Sequence, residues 1–208
     1  MNTNQMLPVG TPLRGGDLTV ISQLSSGGFG NAYVVRNRLD KVFAMKEFFI
    51  RGVNQRVDGN VTVSVADNKA TFESQRAKFE KEAKRLSKIS NPHVVRVHDL
   101  FYENGTVYYT MDYIDGESLA KRLERTGQPL SEEEVKRVLH QLLCALDCVH
   151  SQQPPLLHLD LKLANIMQDR QDNVYLIDFG SSKQIDSEGG ELLSATTGFT
   201  YTQGYAPL

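Results

Sequence analysis

Cysteine is scarce in this 208-residue chain. The two present, Cys144 and Cys148, sit one helical turn apart in Leu142-Leu143-Cys144-Ala145-Leu146-Asp147-Cys148, beside aliphatic neighbours. They form no disulfide framework, and with no second Cys/His pair at ligand spacing they form no zinc site. They read as buried, reduced thiols. Long hydrophobic runs are missing too. No stretch approaches the roughly 18 apolar residues of a membrane-spanning helix, and Met1-Asn2-Thr3-Asn4-Gln5 lacks the basic flank and apolar segment of a leader. The chain therefore reads as cytoplasmic, with no membrane segment. Charge of one sign is not in excess: 23 Lys and Arg stand against 25 Asp and Glu, a net −2. Nothing global attracts nucleic acid or an anionic membrane, so phosphate binding has to be local. Repeats and low-complexity tracts are also absent. What is present, 40% hydrophobic and 23% charged residues, is a globular composition that excludes disordered and fibrous classes.

Pro8, Gly10, Pro12 and Gly15-Gly16 make residues 1–16 read as a flexible leader. Residues 18–24, 31–36 and 42–48 are short runs rich in branched and aromatic residues, an antiparallel meander. Residues 50–70 read as a surface insertion, with Val61, Val63 and Val65 alternating as in a strand. From about Thr71, Phe72, Phe79, Ala83 and Leu86 fall on one helical face, and Ser90-Asn91-Pro92 stops the helix. Val94-Val95-Arg96-Val97 and residues 106–111 supply two more strands around Glu103-Asn104-Gly105. Beyond Asp115-Gly116 the pattern turns helical: residues 118–125, then a long helix opened by the capping box Ser131-Glu132-Glu133-Glu134 and running to about His150. After Pro154-Pro155, Ile166-Met167 and residues 174–177 form a strand pair. The organisation is a leader 1–16, a sheet lobe 17–112 and a helical lobe 113–208.

Four motifs carry chemistry. In Leu24-Ser25-Ser26-Gly27-Gly28-Phe29-Gly30 the glycines let backbone N–H groups approach phosphate oxygens. The strand-turn-strand setting argues against a dinucleotide-binding turn, which needs a helix next. Lys46, in the apolar strand Phe43-Ala44-Met45-Lys46, needs a partner. Of Glu80 and Glu82, Glu82 is preferred because it borders the face of Phe79, Ala83 and Leu86. In His158-Leu159-Asp160-Leu161-Lys162-Leu163-Ala164-Asn165, Asp160 is spaced to accept a hydroxyl proton, Lys162 to neutralise a transferring phosphoryl group and Asn165 to hold Mg²⁺. His158 reads as a residue that packs and positions this loop. Asp178, in Asp178-Phe179-Gly180, emerges at a strand end as a second Mg²⁺ ligand.

Taken together, and with Lys46-Glu47-Phe48-Phe49 and Gly204-Tyr205-Ala206-Pro207, these motifs resemble the eukaryotic-type protein kinases, most nearly the bacterial Ser/Thr kinases. The resemblance covers residues 17–208. It implies an α+β bilobal protein-kinase-like fold: a five-stranded antiparallel N-lobe sheet with one main helix, and a partial helical C-lobe. It further implies ATP and Mg²⁺ as cofactors, ATP lying between the lobes, and a protein substrate with a Ser or Thr acceptor. By this resemblance Met111 is the gatekeeper, residues 112–114 with Asp112 and Ile114 are the hinge, and Ala32, Ala44 and Met167 wall the adenine. Leu24 and Ser118 border the nucleotide, Lys162 favours Ser/Thr over Tyr, and Thr202 helps order the substrate loop.

Two departures accompany it. Leu159 stands where an arginine usually precedes the catalytic aspartate, so phosphorylation of Ser194, Thr196, Thr197 or Thr200 is not expected to be required. The sequence also stops at Leu208, where the resemblance expects a glutamate and further helices. That implies a C-terminally truncated lobe with apolar surface of the long helix, residues 139–146, uncovered. Two rival readings stand beside the kinase: a pseudokinase or nucleotide-binding scaffold, and a small-molecule phosphotransferase.

Overall fold

The computed structural model describes residues 5–27, 30–63 and 65–184. They divide into two compact units, one from the chain up to Lys88 with Arg96–Tyr113, the other from Ile89–Val95 with the chain from Ile114 onward.

In the first unit, β1 (Pro12–Leu13), β2 (Leu18–Ser26), β3 (Gly30–Asn37) and β4 (Val42–Phe48) are followed by a small hairpin, β5 (Gln55–Val57) and β6 (Asn60–Thr62). Helix α1 (Asn68–Leu86) and strands β7 (Val97–Glu103) and β8 (Thr106–Asp112) complete it. The main sheet is antiparallel in the order β1-β2-β3-β4-β8-β7. Its sixth strand comes from the segment read as a flexible leader. Pro12 and Leu13 pair with Thr19 and Leu18, and Leu7 and Leu13 are buried. The prolines and glycines shape turns here, while the intervening leucines fill a core.

Strand alternation separates two faces. Tyr33, Val35, Met45 and Tyr108 meet Leu7, Leu13, Leu18 and Val20 in one buried cluster. On the opposite face Phe48 packs against Phe72 and Phe79 of α1, with ring centroids 5.1 and 5.6 Å away, and Phe79 meets Tyr109 at 4.9 Å. Helix α1 thus buries Phe72, Phe79, Glu82, Ala83 and Leu86. Within residues 50–70, residues 55–62 form the β5–β6 hairpin, which ends at Thr62 and does not continue as an alternating strand to Val65: Val61 is buried and Val65 exposed.

The second unit holds β9 (Gly116–Ser118), α2 (Leu119–Thr126), α3 (Glu132–His150), β10 (Leu156–Leu157), β11 (Ile166–Asp169), β12 (Val174–Leu176) and β13 (Lys183–Gln184). Strands β12, β11 and β9 form one sheet, and β10 pairs with β13. Gly116 makes β9 possible, since a Cβ there would lie 1.9 Å from the Gln168 carbonyl oxygen. The Ser131 hydroxyl accepts from the Glu134 N–H while Glu134 accepts the Ser131 N–H, which closes the capping box of α3.

Residues 94 and 95 are not part of a strand with Val97. Val95 N–H donates to the Leu176 carbonyl, and Leu176 N–H to that of His93, so this segment belongs to the second unit. The cysteines also differ from expectation. The buried face of α3 is Val138, Leu142, Ala145 and Val149, which leaves Cys144 exposed and Cys148 half-buried, both as free thiols. Val135, Leu139 and Leu143, one turn apart, are exposed on α3 as well. No described helix is long and apolar enough to cross a membrane.

Candidate active site

In the first unit, register decides which side chains share a face. Ala32 lies opposite Lys46, Lys46 opposite Tyr109, and Ala44 opposite Met111, so these five side chains occupy one side of the sheet. Ser25, opposite Ala32, joins them, while Leu24 is the extra residue of a β-bulge between Gln23 and Ser25 and is half exposed. The two strands approach the glycine turn at Ser26 and Asn31, and Gly27 N–H donates to the Gly30 carbonyl at 2.8 Å. Gly30 cannot carry a side chain, because a Cβ would come within 2.8 Å of the Glu47 carbonyl oxygen. Gly28 and Phe29 lie outside the described residues.

Lys46 Nζ stands 3.7 Å from Glu82 Oε1, an oxygen that also accepts the Tyr109 hydroxyl at 2.9 Å. The ammonium lies 5.8 Å from the Tyr109 ring centroid. Glu80 is differently engaged, facing Arg76 at 3.5 Å and Lys84 at 3.9 Å along the outside of α1. The two glutamates are thus separated by helical phase: Glu82 sits on the buried face with Phe79 and Ala83, and Glu80 beyond it. At the end of β8, Asp112 accepts from His98 Nε2 at 2.6 Å, and its backbone N–H donates to the Arg96 carbonyl.

In the second unit, residues 158–165 fold back on themselves. Lys162 Nζ lies 2.8 Å from Asp160 Oδ2, and Asn165 Nδ2 donates to both the Asp160 carbonyl (2.8 Å) and Oδ2 (3.1 Å). These contacts turn the amide oxygen of Asn165, a hard ligand, away from the aspartate. The His158 ring is fixed at both nitrogens. Nε2–H donates to the Ile177 carbonyl at 3.0 Å and Nδ1 accepts the Asp160 N–H at 3.3 Å, which requires the neutral imidazole. Its edge rests on Phe179, centroids 4.7 Å apart. Ile177 N–H donates to the Asn165 carbonyl, tying the segment that carries Asp178 to the loop.

Leu159 and Asp178 both hold left-handed backbone, φ 61° each, which non-glycine residues adopt only when their surroundings impose it. Asp178 is exposed, and its Oδ1 accepts the Gly180 N–H at 3.4 Å. Met167 lies opposite Ser118 in the β11–β9 pair, and the Ser118 hydroxyl caps α2 by accepting the Lys121 N–H. Ile114 is half-buried. Among the described residues, no group of three or more His, Cys, Asp or Glu is placed to hold a metal ion. A cation that shares its coordination with phosphate oxygens needs no such cage, and an Asn amide oxygen with one carboxylate is a donor set that suits Mg²⁺. Ser194, Thr196, Thr197, Thr200, Thr202 and Gly204-Tyr205-Ala206-Pro207 lie outside the described residues.

An antiparallel sheet with a lysine held by a helix glutamate in one unit, and a loop that gathers aspartate, lysine and asparagine in the other, are the features that resemble the protein kinase class. The model of the protein kinase domain matches residues 18–207, and the chain belongs to that family. Serine/threonine-protein kinase F of Synechocystis sp. is 31% identical over 203 residues, covering 90% of this chain and 37% of its own length. Serine/threonine-protein kinase PknF of Mycobacterium tuberculosis is 32% identical over 194 residues, covering 90% and 36%. Among solved structures, "PpkA-294 apo form" superposes with a TM-score of 0.79 at 27% identity, over 86% of this chain and 63% of that one. The bilobal kinase-like fold class is therefore correct for this chain. The chain spans little more than a third of the length of these curated relatives.

Proposed function

We propose that the chain carries out protein Ser/Thr kinase chemistry, transferring the γ-phosphoryl group of Mg²⁺-bound ATP to a serine or threonine hydroxyl of a protein. The observation that carries the reading is the loop in which Lys162 and Asn165 both close on Asp160 within 3.1 Å. Asp160 orients the acceptor hydroxyl and takes its proton. Lys162, beside it, stabilises the negative charge of the transferring group, and Lys46, kept in place by Glu82, meets the α- and β-phosphates. Backbone N–H groups of the glycine turn, residues 25–30 with Gly28 and Phe29 among them, cradle the phosphates. From the first unit, Ala32, Ala44 and Met111 would face the adenine, Asp112 would offer backbone groups to its edge and Leu24 would border it; Ile114, Ser118 and Met167 of the second unit are carried over as nucleotide residues from the kinase resemblance. Asn165 and Asp178 would hold Mg²⁺, which would supply charge neutralisation at the phosphates. Positioning and charge stabilisation do the work, and no covalent enzyme intermediate is needed.

Calorimetric titration with Mg·ATP tests the binding half. The expected result is saturable one-site binding, weakened about tenfold or more in Lys46→Met, where a charge-assisted contact is lost, and in Asp178→Asn. Binding that neither substitution alters would remove these residues from the nucleotide.

A further inference from the structure

A second buried carboxylate, that of Glu47, lies behind Lys46, on the other face of β4. Glu47 is fully buried, and its two oxygens accept four hydrogen bonds. Oε2 takes Asn31 Nδ2 at 2.9 Å and the Tyr33 hydroxyl at 2.6 Å; Oε1 takes the Tyr108 hydroxyl at 2.8 Å and Arg56 Nη2 at 2.6 Å. Burial, and then the charge of Glu47, raise both phenols well above the ordinary tyrosine value, so they stay protonated and donate. The network reaches outward through Asn31. Its Oδ1 accepts the Ser26 hydroxyl at 2.6 Å, and the Ser26 hydroxyl oxygen in turn accepts Arg51 Nη2 at 2.9 Å. Arg51 also meets the Ser26 carbonyl at 3.2 Å, and Gln5 accepts from Asn31 Nδ2 at 3.2 Å. Ser26 and Asn31 are the last cross-strand pair before the glycine turn.

Stability alone gives little reason for this arrangement. A buried ion pair of this kind is often no better for folding than an apolar cluster of equal volume, whereas its directional bonds fix geometry. Arg51, moreover, is exposed, and in this network it contacts Ser26 alone. We propose that Glu47, Asn31 and Arg51 are positioning residues that hold the strand ends Ser26–Gly27 and Gly30–Asn31, and thereby set the affinity for the phosphate tail of the nucleotide. The inference deepens the proposed function and rests on it for the nucleotide.

The test uses the full chain with Arg51→Ala and Asn31→Ala, and with Arg38→Ala as control. Arg38 is an exposed arginine bonded to the Gly15 and Gly16 carbonyls, away from the turn. Two quantities are read: the dissociation constant for Mg·ADP, and amide exchange at Gly27, whose N–H closes the turn. Arg51→Ala is expected to weaken Mg·ADP about tenfold and to speed Gly27 exchange about tenfold, through the loss of both hydrogen bonds to Ser26, while the melting temperature stays that of Arg38→Ala. Arg51→Lys, which can return one bond to Ser26, restores part of both. Asn31→Ala moves both quantities further and lowers the melting temperature as well. Unchanged Gly27 exchange in Arg51→Ala and Asn31→Ala overturns the positioning role whether or not nucleotide binds. Faster exchange in a chain whose wild type ignores Mg·ADP would instead remove the nucleotide reading and leave the positioning role standing.

Discussion

At the residue scale, the partner of Lys46 follows from the phase of one helix. Phe79, Ala83 and Leu86 turn inward, Glu82 shares their face, and Glu80 is spent on Arg76 and Lys84. The sequence does not reveal what holds Glu82 itself: the Tyr109 hydroxyl, which comes from a strand distant in the chain. Tyr109→Phe removes this bond and leaves the ring on Phe79. A loss of about 1–2 kcal/mol in urea unfolding is expected, with Mg·ATP affinity changed less than in Lys46→Met. Equal stability of Tyr109→Phe and wild type would show that Glu82 is placed by the helix alone.

At the element scale, the clearest case is α3. Its capping box was readable from Ser131 and Glu134, and the structure adds Arg122, whose guanidinium binds the Glu134 carboxylate. The hydrogen bond from Arg122, together with those from Ser131, holds the Glu134 carboxyl down at about 2, against an ordinary 4.5. Because the folded value is depressed, the contribution of this group to stability is complete above pH 4.5 and is lost as pH falls towards 2. Amide protection at the first turn of α3, corrected for the intrinsic exchange rate at each pH, is therefore expected to fall between those limits, and the fall should vanish in Glu134→Gln. Ser131→Ala should cost about 1 kcal/mol at neutral pH.

Elements whose signal is local were legible in this way: the capped helix, the meander of residues 18–48, the β11–β12 pair and the loop of residues 158–165. Elements that depend on distant partners were not. Strand β9 exists because Gly116 lets it lie against Gln168, and the short strand Pro12–Leu13 exists because Leu7 and Leu13 enter a core made by β2, β3, β4 and β8. The cysteines depart from the sequence pattern for another reason: their sequence neighbours are aliphatic, but the inward phase of α3 runs through Leu142, Ala145 and Val149 and leaves Cys144 outside. Glu47 carried a faint signal, a second charge beside Lys46 in an otherwise apolar strand. Its role could not be read without Arg56 and Tyr108 brought beside it.

At the scale of the whole molecule, residues 18–207 belong to the protein kinase family. Leu159, half exposed and with left-handed backbone, stands where the resemblance implies an arginine. A basic pocket for a phosphorylated loop is incomplete without that cation. Replacing Ser194, Thr196, Thr197 and Thr200 together by alanine is therefore expected to leave the transfer rate within about threefold of wild type. A rate that climbs with phosphate stoichiometry at those positions would contradict this.

The most direct measurement is Mg²⁺-dependent transfer of label from γ-labelled ATP to a Ser/Thr peptide library, with Asp160→Asn beside the wild type. Wild type should yield phosphoserine or phosphothreonine, and Asp160→Asn should lower the rate about 10²- to 10⁴-fold while still binding Mg·ATP. Wild-type transfer no faster than that of Asp160→Asn, with both binding nucleotide, would make the chain a nucleotide-binding scaffold rather than a kinase.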